Sequence, residues 1–164
     1  MKIQKLKAAV AVATLAALSL GATAANAATA NATARAKILR QITLANTSDL
    51  QFGTIVTGAA ASTVAISSGG ARTCGSGLVC SGATTAAGFT IGGTTGAVVT
   101  ISVPASVSLV SGADTMTASL AASATTATLV ANAGSFSVGG TLSVGANQAD
   151  GDYVGTFTAT VDYQ

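Results

Sequence analysis

The chain has no histidine, no glutamate and no tryptophan, one proline and two cysteines, and only 7% of its residues are charged. Without His, the commonest general base and the Ser-His-Asp and Cys-His arrangements are missing. The only carboxylates are Asp49, Asp114, Asp150, Asp152 and Asp162. Four of them stand beside turn formers, where Asp commonly bonds its own backbone. Nothing in their spacing sets two in one cleft, so no enzyme, catalytic residue or cofactor is expected. Four Phe and two Tyr cannot supply the paired aromatic girdles of a transmembrane barrel. Disorder calls for high net charge and few β-formers, and this chain has neither.

Three of the seven positive charges sit at the start. Lys2, Lys5 and Lys7 precede an apolar run over 8–20, followed by Ala25-Asn26-Ala27. These are the n-region, h-region and A-x-A site of a secretory signal peptide, with cleavage predicted before Ala28. Ala22-Thr23-Ala24 and Ala28-Thr29-Ala30 are competing sites. Thirteen apolar residues are too few for a bilayer span, which needs about 20, so no transmembrane segment is expected in the mature chain. Export to the periplasm and onward to the cell surface or medium is the expected route. The whole chain carries 7 basic and 5 acidic residues; with three lysines removed, 4 face 5, a net of −1. Arg35, Lys37 and Arg40 cluster near the new start and Arg72 stands alone, leaving no basic stripe for nucleic acid.

The 137 residues left of 164 after 27 are removed suit one domain. The divisions read as signal peptide 1–27, N-terminal extension 28–37 and β-domain 38–164. Glycines and β-branched residues predict strands over 38–44, 50–56, 62–66, 88–91, 97–103, 107–110, 115–120, 127–131, 135–138, 141–144 and 153–163. Most alternate with period two, as in Ala97, Val99, Ile101 and Val103 against Val98, Thr100 and Ser102. The single proline, Pro104, ends its strand. Residues 118–133 are alanine-rich, but Thr125, Thr126 and Thr128 lower helical preference and predict β structure. Many short strands with glycine turns indicate an all-β sandwich or barrel.

Cys74 and Cys80 enclose Gly75-Ser76-Gly77-Leu78-Val79. In an exported chain this pair is expected to form a disulfide; a redox pair would want C-x-x-C spacing and a neighbouring base. Closing so short a loop removes denatured-state entropy worth roughly 2.4 kcal/mol in the chain-entropy model. Asp150-Gly151-Asp152 invites a calcium reading but lacks the remaining ligands of a loop motif, so a plain turn and no metal are expected. Gly69-Gly70, Gly92-Gly93 and Gly139-Gly140 read as turns, because no phosphate-loop spacing surrounds them. Asn31-Ala32-Thr33 and Asn46-Thr47-Ser48 match the glycosylation pattern by chance.

The stretch 151–164 is the most informative. Tyr153, Phe157, Ala159, Val161 and Tyr163 fall on one side of an extended chain, and Asp152, Thr156, Thr158, Thr160 and Asp162 on the other. Such a strand predicts a docked terminus. With Tyr163 penultimate and Gly151 opening the strand, it resembles the last strand of chaperone-usher pilus subunits, although no cysteine pair joins the first two strands as in those pilins. Leu50-Gln51-Phe52-Gly53-Thr54-Ile55-Val56, with Val144-Gly145-Ala146-Asn147-Gln148 leading into Gly155-Thr156-Phe157, is similar to the Gly/Ala/Thr-rich secreted family called domain of unknown function 4402, a label that names no activity.

The pilin resemblance implies an immunoglobulin-like, antiparallel β-sandwich short of one strand, assembled by donor-strand complementation with the help of a periplasmic chaperone and an outer-membrane usher. The donor would be the extension of a second copy or related subunit, with Ala28, Ala30, Ala32, Ala34 and Ala36 facing inward. Gly151, Phe157, Ala159, Val161 and Tyr163 would mark the accepting strand. The rival reading is a self-complete secreted sandwich that binds a surface glycan or matrix component; both need the same strands.

Overall fold

The computed structural model describes residues 27–164; the signal sequence expected over 1–27 lies, apart from Ala27, outside the described residues. The chain divides into Met1–Ala36 and Lys37–Gln164. Residues 27–36 of the first unit form no helix or strand.

The second unit carries the strands β1 (Thr43–Ser48), β2 (Thr54–Val56), β3 (Ser62–Ile66), β4 (Arg72–Cys74), β5 (Val79–Ser81), β6 (Ala87–Gly92), β7 (Val98–Ser102), β8 (Ser106–Ser111), β9 (Asp114–Ala122), β10 (Thr126–Thr128), β11 (Ala133–Val144) and β12 (Thr160–Tyr163). Every pairing is antiparallel. The larger sheet runs β1-β6-β11-β3-β4, with β9 on β11 and β8 on β9; β10-β7-β12 and β2-β5 form two smaller sheets. The fold is the antiparallel β-sandwich that the alternation predicts, and the alanine-rich stretch 118–133 is β structure, with β9 and β10 in it.

Two apolar clusters fill the space between the layers. In one, Phe89, Ile91, Phe136 and Val138 of the larger sheet meet Val99, Ile101, Leu129, Ala159 and Val161. Phe89 and Phe136 are cross-strand partners whose rings stack with centroids 4.9 Å apart, and Phe157 meets Phe89 edge-on at 6.3 Å. In the other, Phe52 covers Val64, Ile66, Ala118, Leu142 and Val144, with Leu78 and Cys80 against its margin.

Several element boundaries differ from the periodicity. β1 begins at Thr43, because its ladder starts at the Thr43–Gly92 pair; residues 38–42 run past the end of β6 and have no strand beside them. The run 50–56 is cut to β2 by Gly53, whose φ is +77°. Gly139-Gly140, read as a turn, lies inside the continuous twelve-residue β11. A Cβ at Gly139 would meet the Ile66 carbonyl at 2.4 Å, and one at Gly140 the Ser119 carbonyl at 2.8 Å. β3 and β9 flank opposite edges of this half of β11, so these glycines admit close neighbours rather than reverse the chain. The short β4 and β5, brought together by the disulfide, were not legible as strands because each spans three residues.

The final stretch is also shorter than its alternation. Only Thr160–Tyr163 pairs with β7. Upstream, Val154 makes an isolated bridge to Val110 of β8, with N···O distances of 2.9 and 3.1 Å. Gly155 follows, packed so closely that a Cβ would sit 2.4 Å from the Ser108 carbonyl. The chain therefore crosses over 155–159 from the edge of the larger sheet to the smaller one. Burial keeps its period-two rhythm through the crossing, with Ala159 and Val161 buried, Phe157 and Tyr163 half-buried, and Thr158, Thr160 and Asp162 exposed.

Candidate assembly edge

β7 is the middle strand of the three-stranded sheet. Ile101 N–H donates to the Thr125 carbonyl and Leu129 N–H to the Ala97 carbonyl, while Gln164 N–H donates to the Val98 carbonyl. Odd-numbered residues of β7 thus bond towards β10 and even-numbered ones towards β12. In an antiparallel ladder, residues between the hydrogen-bonded pairs turn their N–H and C=O groups to the opposite edge. On β12 the bonded pairs are Thr160–Ser102 and Asp162–Thr100 in the observed register, so the backbone groups of Val161 and Tyr163 point outward. No strand pairs with that edge among the described residues, and residues 155–159 make no backbone hydrogen bond there.

The free edge faces a groove of about 630 Å³ between residues 39–44 and 159–163. Ala159 and Val161 form one wall, Leu39, Ile42 and Leu44 contribute apolar surface to the other, and Arg40 and Asp162 bring opposite charges to the rim. Tyr163 closes the assembly: its hydroxyl accepts the Thr94 N–H and donates to the Arg40 carbonyl, both at 2.8 Å. The Arg40 N–H in turn donates to Thr94 Oγ1 at 2.7 Å.

Of the residues expected on the accepting strand, Ala159, Val161 and Tyr163 line this groove. Phe157 lies earlier, against Phe89. Gly151 is outside β12 altogether, on the segment that leads to the Val154 bridge. That long single strand is corrected to a crossing segment plus a four-residue strand, because Val154 and Gly155 are held against β8. Ala28, Ala30, Ala32, Ala34 and Ala36 belong to no strand. Sequence reasoning missed Arg40 and Thr94, whose backbone groups meet Tyr163; backbone partners 69 and 123 residues away leave no trace in side-chain pattern.

Cys74 and Cys80 are bonded, with Cα atoms 6.1 Å apart. The bridge ties β4 to β5, and through the β2-β5 pairing holds a short layer over Phe52. Arg72 reinforces this layer: its guanidinium donates to the Ser81 carbonyl at 2.7 Å and to the Phe52 and Gly82 carbonyls at 3.4 Å.

A second, larger cleft of about 1000 Å³ opens between residues 51–57 and 148–154. Leu109, Met116, Leu142 and Val144 line it together with Asp150 and Asp152. Tyr153 is fixed in its wall, donating to the Ala149 carbonyl at 2.9 Å and accepting from Gln148 Nε2 at 2.8 Å. Among the described residues no three Asp, Glu, His or Cys side chains gather as metal ligands, and no helix is long and apolar enough to cross a membrane.

A family model described as a domain of unknown function (DUF4402) matches residues 42–163. The match begins on the groove wall next to β1 and ends at the tyrosine that clamps β12. No curated protein matches the chain.

Proposed function

The chain belongs to the family of the domain of unknown function DUF4402, and from that premise we propose that it is an exported bacterial surface subunit, assembled by accepting a strand from a neighbouring subunit. The observation that carries this reading is the free outer edge of β12 beside an apolar-walled groove. An exposed strand edge is a template for another chain, and natural proteins usually blunt it with charge, proline or a bulge. Here the outward backbone groups of Val161 and Tyr163 are left open next to a groove that could receive side chains of alternate residues, the geometry of β-augmentation. The donor in this reading is the extension 28–37 of a second copy or a related subunit. A periplasmic chaperone and an outer-membrane usher would protect and deliver the open edge.

The test is to export the full chain and a form lacking 28–37, then compare their mass by size-exclusion chromatography and count surface filaments by electron microscopy. Filaments and high-mass species from the full chain alone support strand donation. A monomeric full chain with no filaments rules it out.

A specific observation favours a second reading. The cleft between 51–57 and 148–154 combines an apolar floor with carboxylate, amide and hydroxyl groups, an arrangement suited to the C–H and hydroxyl faces of a sugar. In that reading the domain is a self-complete module for a surface glycan. Binding of the monomer to glycan arrays, lost in Met116→Lys with the fold intact, would establish it.

A further inference from the structure

Going beyond strand donation, we propose that the cleft between 51–57 and 148–154 seats Ile38 of a second copy, in a head-to-tail contact that needs no backbone pairing at β12. Both sides of the contact are exposed apolar surface. Val56 and Val154 stand in the cleft with 58% and 70% of their surface exposed, beside the aliphatic side chains of Leu109, Met116, Leu142 and Val144. Ile38 is 92% exposed, more than any other large hydrophobic among the described residues.

Charge selects the partner. Asp150 and Asp152 line the cleft and, among the described residues, no Lys or Arg does. The cations of residues 37–164 are Lys37, Arg40 and Arg72. Arg72 is committed to three backbone carbonyls of its own layer. That leaves Lys37 and Arg40, both exposed, and these two flank Ile38. Complementary charge steers encounter and suppresses wrong partners, so an apolar cleft bearing two carboxylates matches an apolar side chain set between two cations.

The contact cannot close within one chain. Thr43 and Ala133 both pair with Gly92, and Arg40 is hydrogen-bonded to Thr94 and Tyr163, so Arg40 is held near the start of β11. The cleft lies at the other end of β11, where Val144 lines it. At about 3.3 Å per residue the twelve residues of β11 span about 36 Å, whereas the two steps from Arg40 back to Ile38 reach about 7 Å. Ile38 therefore meets the cleft of another copy. The two surfaces differ, which makes the contact heterologous: it builds a ring or a filament, not an isologous dimer.

The experiment mixes full-length chains carrying Ile38→Cys with chains carrying Val154→Cys, both exposed positions, and maps disulfides in exported material by mass spectrometry. An intermolecular 38–154 bond is expected. Bonds only from 38 to 38 and from 154 to 154 would overturn the proposal, as would filaments with no 38–154 bond, a result that leaves strand donation standing. If the chain forms no filaments, strand donation fails; a 38–154 bond between concentrated monomers still upholds the contact, and its absence overturns it. Reversing the cleft's charge with Asp150→Lys and Asp152→Lys should reduce the bond severalfold, and adding Lys37→Asp and Arg40→Asp to the Ile38→Cys chain should restore it; no restoration overturns the charge match and the proposal with it. In the unlabelled chain, Ile38→Asp should weaken self-association about tenfold, the loss of one buried aliphatic side chain, with export unchanged. Self-association indifferent to Ile38→Asp, or a glycan held in the cleft with no 38–154 bond, returns the cleft to the glycan reading.

Discussion

The hydroxyl of Tyr163 donates to the carbonyl of Arg40 across 2.8 Å, joining residues 123 positions apart. Because it also accepts the Thr94 N–H, one side-chain atom fixes the end of β12, the wall at residues 39–44 and the loop after β6. Removing it leaves the part-buried Thr94 N–H and the exposed Arg40 carbonyl without their partner. Tyr163→Phe should therefore lower stability by about 0.5–1.5 kcal/mol, read as a lower urea midpoint with an unchanged slope. An unchanged midpoint would show that water replaces the hydroxyl at no cost.

The stacked pair Phe89–Phe136 sits at the centre of the first cluster, while Phe157 touches its edge. Truncating a buried aromatic costs about 3–5 kcal/mol. Phe89→Ala should fall in that range and reduce exported protein sharply, whereas Phe157→Ala, half-buried, should cost clearly less. Chemical denaturation of both variants checks the order; a larger loss at Phe157 would contradict it.

Gly139 lies between strands, where a Cβ would press on the Ile66 carbonyl at 2.4 Å. Backbone cannot yield as a flexible side chain can. Gly139→Ala should destabilise by about 1–3 kcal/mol, the usual cost of overpacking, despite alanine's lower unfolded-state entropy. A glycine serving only as a turn would give a different result, since Gly→Ala at an unstrained position stabilises slightly.

Mass spectrometry of exported, non-reduced protein should find Cys74 and Cys80 bonded and no alkylatable thiol. Replacing both by Ser should cost about 2.4 kcal/mol through denatured-state entropy. The loss should appear in the Phe52 cluster, where Leu78 and Cys80 pack, as faster amide exchange in β2 and β5. Uniform acceleration over β7 and β12 instead would mean that the two clusters unfold as one.

Tyr163, Val161 and Ala159 were legible as inward positions because side-chain alternation is a local property, dictated by the pleat wherever the chain is extended. Their burial follows that pattern even across 155–159, where no ladder forms. The disulfide was legible for a similar reason: two cysteines six residues apart in an exported chain have few other fates. Strand ends were less so, since β1 starts where β6 offers a partner and β12 starts only after Gly155 clears Ser108.

From its residues alone this protein is specified as all-β, low in charge and without histidine, with one loop closed by a disulfide and a two-faced final segment. Composition and period-two pattern act through each residue's own neighbours, so the chain carries them before it folds. Which open edge borders the groove, which carbonyl Tyr163 reaches, and that Gly139-Gly140 extends a strand rather than turning it were decided by tertiary structure. Those features depend on where β7, β8 and residues 39–44 come to lie, and backbone hydrogen bonds and close approaches between distant segments are indifferent to the side chains that a sequence displays.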